Sequence, residues 1–178
     1  MKKIFIFLAN SVFAGFFVVG CALNQLKDLY ISTPFNVAEA SIINKQGKNT
    51  ISGSALIKRN DGQAVTCSGG KVELIPYTTY ANTRILSLYG GSERGFRPVY
   101  ESTLNQIKFI PDTPEYYDMR KSAQCNAQGF FVFKNIADGD YFVTTNVVWM
   151  AGNYHQGGSL MKRVAVKGGE SVDIVLSP

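Results

Sequence analysis

Histidine is almost missing from this chain: His155 is the only one, and it stands in a glycine-rich stretch. Hydrolysis by an activated nucleophile needs a base beside a Ser, Thr or Cys, and no Gly-x-Ser-x-Gly accompanies this histidine. No His-x-x-Glu zinc pattern, phosphate loop or dinucleotide fingerprint is present either. We therefore read the chain as a protein that is not an enzyme, with no cofactor and no bound metal. Charge is thin as well. The net charge is +5, with no Lys/Arg run longer than two residues, which argues against nucleic acid as a partner.

A membrane-spanning run is also lacking. The longest apolar stretch, Ile4–Val19, has sixteen residues and contains Asn10, Ser11 and Gly15, short of the roughly 20 that a spanning helix needs. Preceded by Lys2 and Lys3, it reads as an export signal. No Ala-x-Ala-like site follows it; the chain instead continues Val18-Val19-Gly20-Cys21. That tetrad resembles the lipobox of bacterial lipoproteins, whose cysteine is acylated before a peptidase cuts in front of it. The resemblance implies a signal peptide over 1–20 and a covalent lipid on Cys21. Bacterial lipoproteins normally carry three acyl chains, and two or more anchor a protein stably. Ala22 stands where an Asp would signal inner-membrane retention, so the implied address is the outer membrane.

Two cysteines remain, Cys67 and Cys125. In an exported chain an even pair reads as a disulfide. Two cysteines and one histidine make a poor metal set, and a redox pair would show Cys-x-x-Cys. Bridging them closes a loop of about 59 residues, worth on the order of 4 kcal/mol in the loop-entropy model.

Residues 21–48 read as the lipidated N-terminus and a tether of at most roughly 90 Å, with Leu26, Leu29, Val37, Ile42 and Ile43 apolar enough for part of it to dock. Residues 49–178 read as one all-β domain, since glycines, aromatics and β-branched residues are plentiful. Ile51–Ile57 and Lys71–Pro76 alternate as strands, separated by the turn Asn60-Asp61-Gly62. Arg84–Tyr89 fits a strand or a short helix, Glu93–Pro98 a loop, and Ser102–Ile110 contains a further strand. Phe130–Lys134 and Tyr141–Trp149 are strands around the turn Ile136–Asp140. Gly152–Ser159 reads as a flexible loop. Leu160–Val166 and Ser171–Leu176 read as a hairpin.

The stretch Gly129-Phe-Phe-Val-Phe-Lys-Asn-Ile-Ala-Asp-Gly-Asp-Tyr141 resembles the G-x-F-x-F-x-x-(L/I)-x-x-G-x-Y signature of carboxypeptidase regulatory-like domains. Ile51-Ser-Gly-Ser-Ala55 and Gly70–Ile75 are similar to that family's first two strands. The resemblance covers Thr50–Pro76 and Cys125–Pro178, and implies a seven-stranded, transthyretin-like (prealbumin-like) β-sandwich with an enlarged middle insert, Tyr77–Gln124.

That insert is rich in Tyr and Arg, the types that dominate interface hot spots. Tyr89, Arg94, Phe96, Arg97 and Tyr100 are the candidate partner-binding residues. The reading that follows is an outer-membrane-anchored lipoprotein, on the periplasmic or cell-surface side, making protein–protein contacts in a secretion-type or other envelope assembly. The alternative is glycan or peptidoglycan binding, because aromatic faces also stack on sugars.

Overall fold

Leu74 and Ile75 are neighbours in one strand, yet they sit in two different hydrophobic cores. The same division separates Tyr141 and Val143 from Phe142, and Leu160 from Met161. Successive side chains of a strand point to opposite faces, so these unbroken apolar runs mark a sheet covered on both sides. The molecule is built in layers around that sheet.

The computed structural model describes residues 25–178. The leader and Cys21, with the acylation expected there, lie outside the described residues. The central layer is a five-stranded antiparallel sheet in the order β5-β10-β9-β4-β7. Its strands are β4 (Lys71–Pro76), β5 (Arg94–Pro98), β7 (Lys121–Gln124), β9 (Gly139–Ala151) and β10 (Tyr154–Val166). The second layer is organised on β2 (Gln46–Lys58), with β11 (Ser171–Leu176) parallel on one side. On its other side β8 (Phe130–Ile136) and then β3 (Ala64–Thr66) run antiparallel. Ala55 shows the handover, since its N–H donates to Gly129 O and its carbonyl accepts from Cys67 N.

The main core lies between these two sheets. Phe131 and Phe133 point into it while Phe130 and Val132 stay exposed, the alternation expected from the sequence. Tyr141 is fully buried and its hydroxyl donates to Ala137 O at 3.0 Å; the hydroxyl lies inside the fold, the geometry of a tyrosine corner. Cys67 and Cys125 form the expected disulfide, with their Cα atoms 5.9 Å apart.

The third layer covers the other face of the central sheet. It comprises α2 (Thr79–Tyr89), α4 (Pro114–Asp118) and a parallel ribbon of β1 (Gln25–Tyr30) with β6 (Asn105–Ile110). The two short helices α1 (Val37–Ala40) and α3 (Val99–Leu104), with a 3-10 turn over Ser41–Asn44, complete the elements. Between strand and helix over Arg84–Tyr89, the helix wins. The Thr78 hydroxyl accepts from Ala81 N, and Gly90 closes the far end at φ 71°, the pair of signals that brackets a helix.

Several expectations are corrected. The described residues form eleven strands where seven were expected; β1, β5, β6 and β7 come from the tether region and the insert. The tether is folded from Gln25 onward, and Ala40 and Ile43 are buried, while Leu26 and Val37 remain exposed. Glu93–Pro98 holds strand β5, and Gly152–Ser159 holds the first half of β10, with the hairpin turn reduced to Gly152 and Asn153. The last two strands do not form a hairpin. The Lys167–Glu170 link carries the chain across to the other sheet, where Gly169 N and Glu170 N donate to the buried Asn49 Oδ1 and Gly168 N donates to Asp138.

Candidate binding cleft

Four of the five residues nominated from sequence are distributed over three hollows, and the fifth, Arg94, borders none of them. Tyr89 ends α2, packs on Gly95, and shares a hydrogen bond between its hydroxyl and that of Ser159. It lines a cavity of about 320 Å³ on the helix-covered face of the central sheet, together with Glu73, Arg120 and Lys71. Burial pushes the Tyr89 phenol up. Burial also works against the charge on Glu73. Lys71 at 2.8 Å and Arg120 at 2.8 Å outweigh it and hold the carboxyl below its ordinary value.

Arg97 donates to Asn105 O at 2.6 Å and borders a different hollow, shared with Leu26, Lys27 and Glu101. Arg94 is exposed on the edge strand β5. Most other aromatics of the insert are structural. Tyr80 and Tyr116 are buried around the Arg84 guanidinium, which lies 4.0 Å from the Phe109 ring centre and 4.5 Å from that of Tyr116. Arg84 donates to Asp112 at 2.6 Å, to Tyr117 at 2.7 Å and to Tyr80 at 3.2 Å.

Phe96 and Tyr100 come together with residues that the sequence did not nominate for binding. Both line a cleft of about 630 Å³ at one end of the sandwich, where the two sheets part. Its construction follows from strand periodicity. Val147 and Leu160 point into the main core, so Trp149, two residues on, and Gln156, four residues back, share that face. Phe96 reaches the same face as the register partner of Leu160. Opposite them stands the end of β2, Ile57 and Lys58, followed by the loop Arg59–Asp61, in which Arg59 and Asp61 are paired at 2.9 Å. Tyr100 and His155 complete the rim.

Two features mark this cleft. The indole Nε1 of Trp149 is buried and has no hydrogen-bond partner among the described residues, although a buried donor normally finds one. The Trp149 ring also crosses Gly157, which sits at φ 94°. Gln156 was missed because Gly157 and Gly158 make the segment look like loop; His155 was weighed only as a catalytic base, and Trp149 only as the end of a strand. The available signal was a lone tryptophan followed closely by paired glycines, where an aromatic ring lies over a strand lacking side chains. The resulting surface offers aromatic faces and the polar groups of Asn60, Asp61 and Gln156. This combination of an apolar floor with a few polar groups suits a small organic ligand.

No family model and no curated protein matches the chain. A solved structure from Pseudomonas aeruginosa, described as a "putative carbohydrate binding protein", aligns with a TM-score of 0.65. The alignment spans 82% of this chain and 99% of that one at 20% sequence identity, and it establishes likeness of fold.

Proposed function

We propose that the protein is a non-catalytic, glycan-binding lipoprotein of the bacterial outer membrane, and that the cleft around Trp149 is its binding site. The observation that carries this reading is the cleft itself, which gathers Phe96, Tyr100 and Trp149 with the polar groups of Gln156, Asn60 and Asp61. Aromatic rings stack on the C–H faces of a sugar, while amides and N–H groups meet its hydroxyls. The description given to the Pseudomonas aeruginosa protein is compatible with the same class of ligand.

We assign the sandwich to the carboxypeptidase regulatory-like, transthyretin-like type. Setting aside β1, β5, β6 and β7 leaves seven strands, the number expected for it. The signature positions have physical roles that support the assignment. Phe131, Phe133 and Ile136 fill the core, and Tyr141 is locked to Ala137 O.

Trp149 is the only tryptophan, so its emission reports on the cleft directly. Titration with soluble peptidoglycan fragments and with neutral oligosaccharides should give a saturable spectral change. Flat titrations with every saccharide would remove the reading. A protein-contact role is favoured by one specific feature, the exposed Phe130, Val132 and Val175 on the outer face of the β2 sheet. Crosslinking in intact cells to a protein partner through that face, combined with flat titrations, would put this second reading in its place.

A further inference from the structure

Acylation of Cys21 would leave very little chain between the membrane and the fold. Gln25 is the first residue of β1, and four residues span at most about 14 Å. Each headgroup zone is itself roughly 5–8 Å deep. The domain therefore cannot hang far out on a tether; the end of the ribbon where β1 starts lies at the lipid surface.

The surface around that end has the chemistry to meet it. Gln25 pairs in register with Asn105, and Leu104 immediately precedes Asn105. Leu104 and Tyr100 are one turn apart on α3, and they are 48% and 60% exposed; Leu26, next to Gln25, is 58% exposed. The register thus brings three exposed apolar side chains to the end of the ribbon at which the chain arrives from Cys21. Lys27 and Arg97 border the hollow beside them, with Glu101 as the one acid lining it. Apolar side chains at headgroup depth with basic neighbours add reversible affinity for an anionic bilayer, and tyrosine is favoured at that boundary.

We propose that Leu26, Tyr100 and Leu104 form a seat that rests on the phospholipid bilayer, fixing the orientation of the domain. The proposal rests on the acylation of Cys21. Tyr100 lines the aromatic cleft as well, so the seated domain places that cleft beside the membrane surface.

The test uses the full acylated chain in vesicles of phosphatidylethanolamine and phosphatidylglycerol. With Cys21 acylated and Cys67 and Cys125 joined, Leu104→Cys or Val132→Cys provides one reactive thiol for a fluorescent label. Val132 lies on the outer face of the far sheet and serves as the reference. Lipids carrying a nitroxide just below the headgroup should quench the label at 104 several-fold more than the label at 132. An acylated chain that floats with the vesicles but shows equal quenching at both positions, or none at 104, overturns the seat and leaves the anchor standing. A chain whose mass shows no acyl group and that does not float overturns the anchor and the seat together. The saccharide titration is independent of both outcomes.

Discussion

The Trp149 ring lies so close over Gly157 that a Cβ placed there would come within 2.7 Å of the indole and would also strike the Val147 carbonyl. The contact joins adjacent strands of the β9–β10 hairpin and turns the indole into the space between the sheets. Gly157 also holds φ 94°, a conformation L side chains rarely adopt.

Gly157→Ala should therefore act twice. It should lower stability by at least about 1–2 kcal/mol through backbone strain alone, seen as a fall in the urea midpoint. It should also expel the indole, shifting Trp149 emission to the red and weakening saccharide binding. An unchanged spectrum would show that the ring is not held by this contact.

Trp149→Phe separates the ring from its N–H. A buried donor without a partner costs about 1–3 kcal/mol, so removing it should offset much of the packing lost with the smaller ring. Stability should stay within about 1 kcal/mol of the parent while saccharide affinity falls, as measured by calorimetry. Equal affinity in the two proteins would exclude the indole N–H from recognition.

Arg84 provides the opposite case, a residue with conspicuous chemistry and a structural job. A lysine ammonium cannot bridge Asp112 and Tyr117 as the planar guanidinium does. Arg84→Lys should cost about 1–3 kcal/mol and leave saccharide titrations unchanged, because the cluster lies on the opposite face of the central sheet. A loss of binding at intact stability would relocate the ligand to the Tyr89 cavity.

Alkaline pH should loosen the fold through its buried phenols. Burial, with a smaller contribution from Asp138, pushes Tyr141 up to about 12, against an ordinary value near 10. The folded state thus holds this proton more tightly than the unfolded chain. Its contribution is complete below about pH 10 and is lost as pH rises toward 12, a change of about 2–3 kcal/mol. Tyr89 and Tyr116, also raised by burial, act in the same direction. Urea midpoints measured across this window should fall, and Tyr141→Phe should flatten part of the slope.

Strands were legible where apolar and polar residues alternate, in the middle of β2 and in β8, and where short apolar β-branched and aromatic runs end at turn signals, in β4 and most of β9. The disulfide was legible from cysteine count and the expected compartment. What the alternation could not reveal was partnership. Ser171–Leu176 reads correctly as a strand, but only the three-dimensional fold pairs it with β2, through a link pinned by Asn49 and Asp138. Local composition hid other elements. Gly157 and Gly158 suggested a loop because glycine is poor in strands, whereas here they make room for Trp149 and Phe96. Arg94–Pro98 suggested a loop for the same reason, yet an edge strand tolerates a proline at its end. The candidate cleft was half legible: Phe96 and Tyr100 stood out as aromatics of the insert, while Trp149 was read only as the end of a strand.

The pairing of β2 has a consequence for the order of events during biogenesis. Synthesis delivers β2 long before β8 and β11 exist to flank it, so only β3 can join it early. Ile51, Ala55 and Ile57 stay uncovered through most of translation, and closure of the sandwich is deferred until distant segments arrive. For a polypeptide led by the export signal read in residues 1–20, such lateness is useful. It keeps the thread pliable enough to pass a narrow pore, and it leaves the final knitting to the far side.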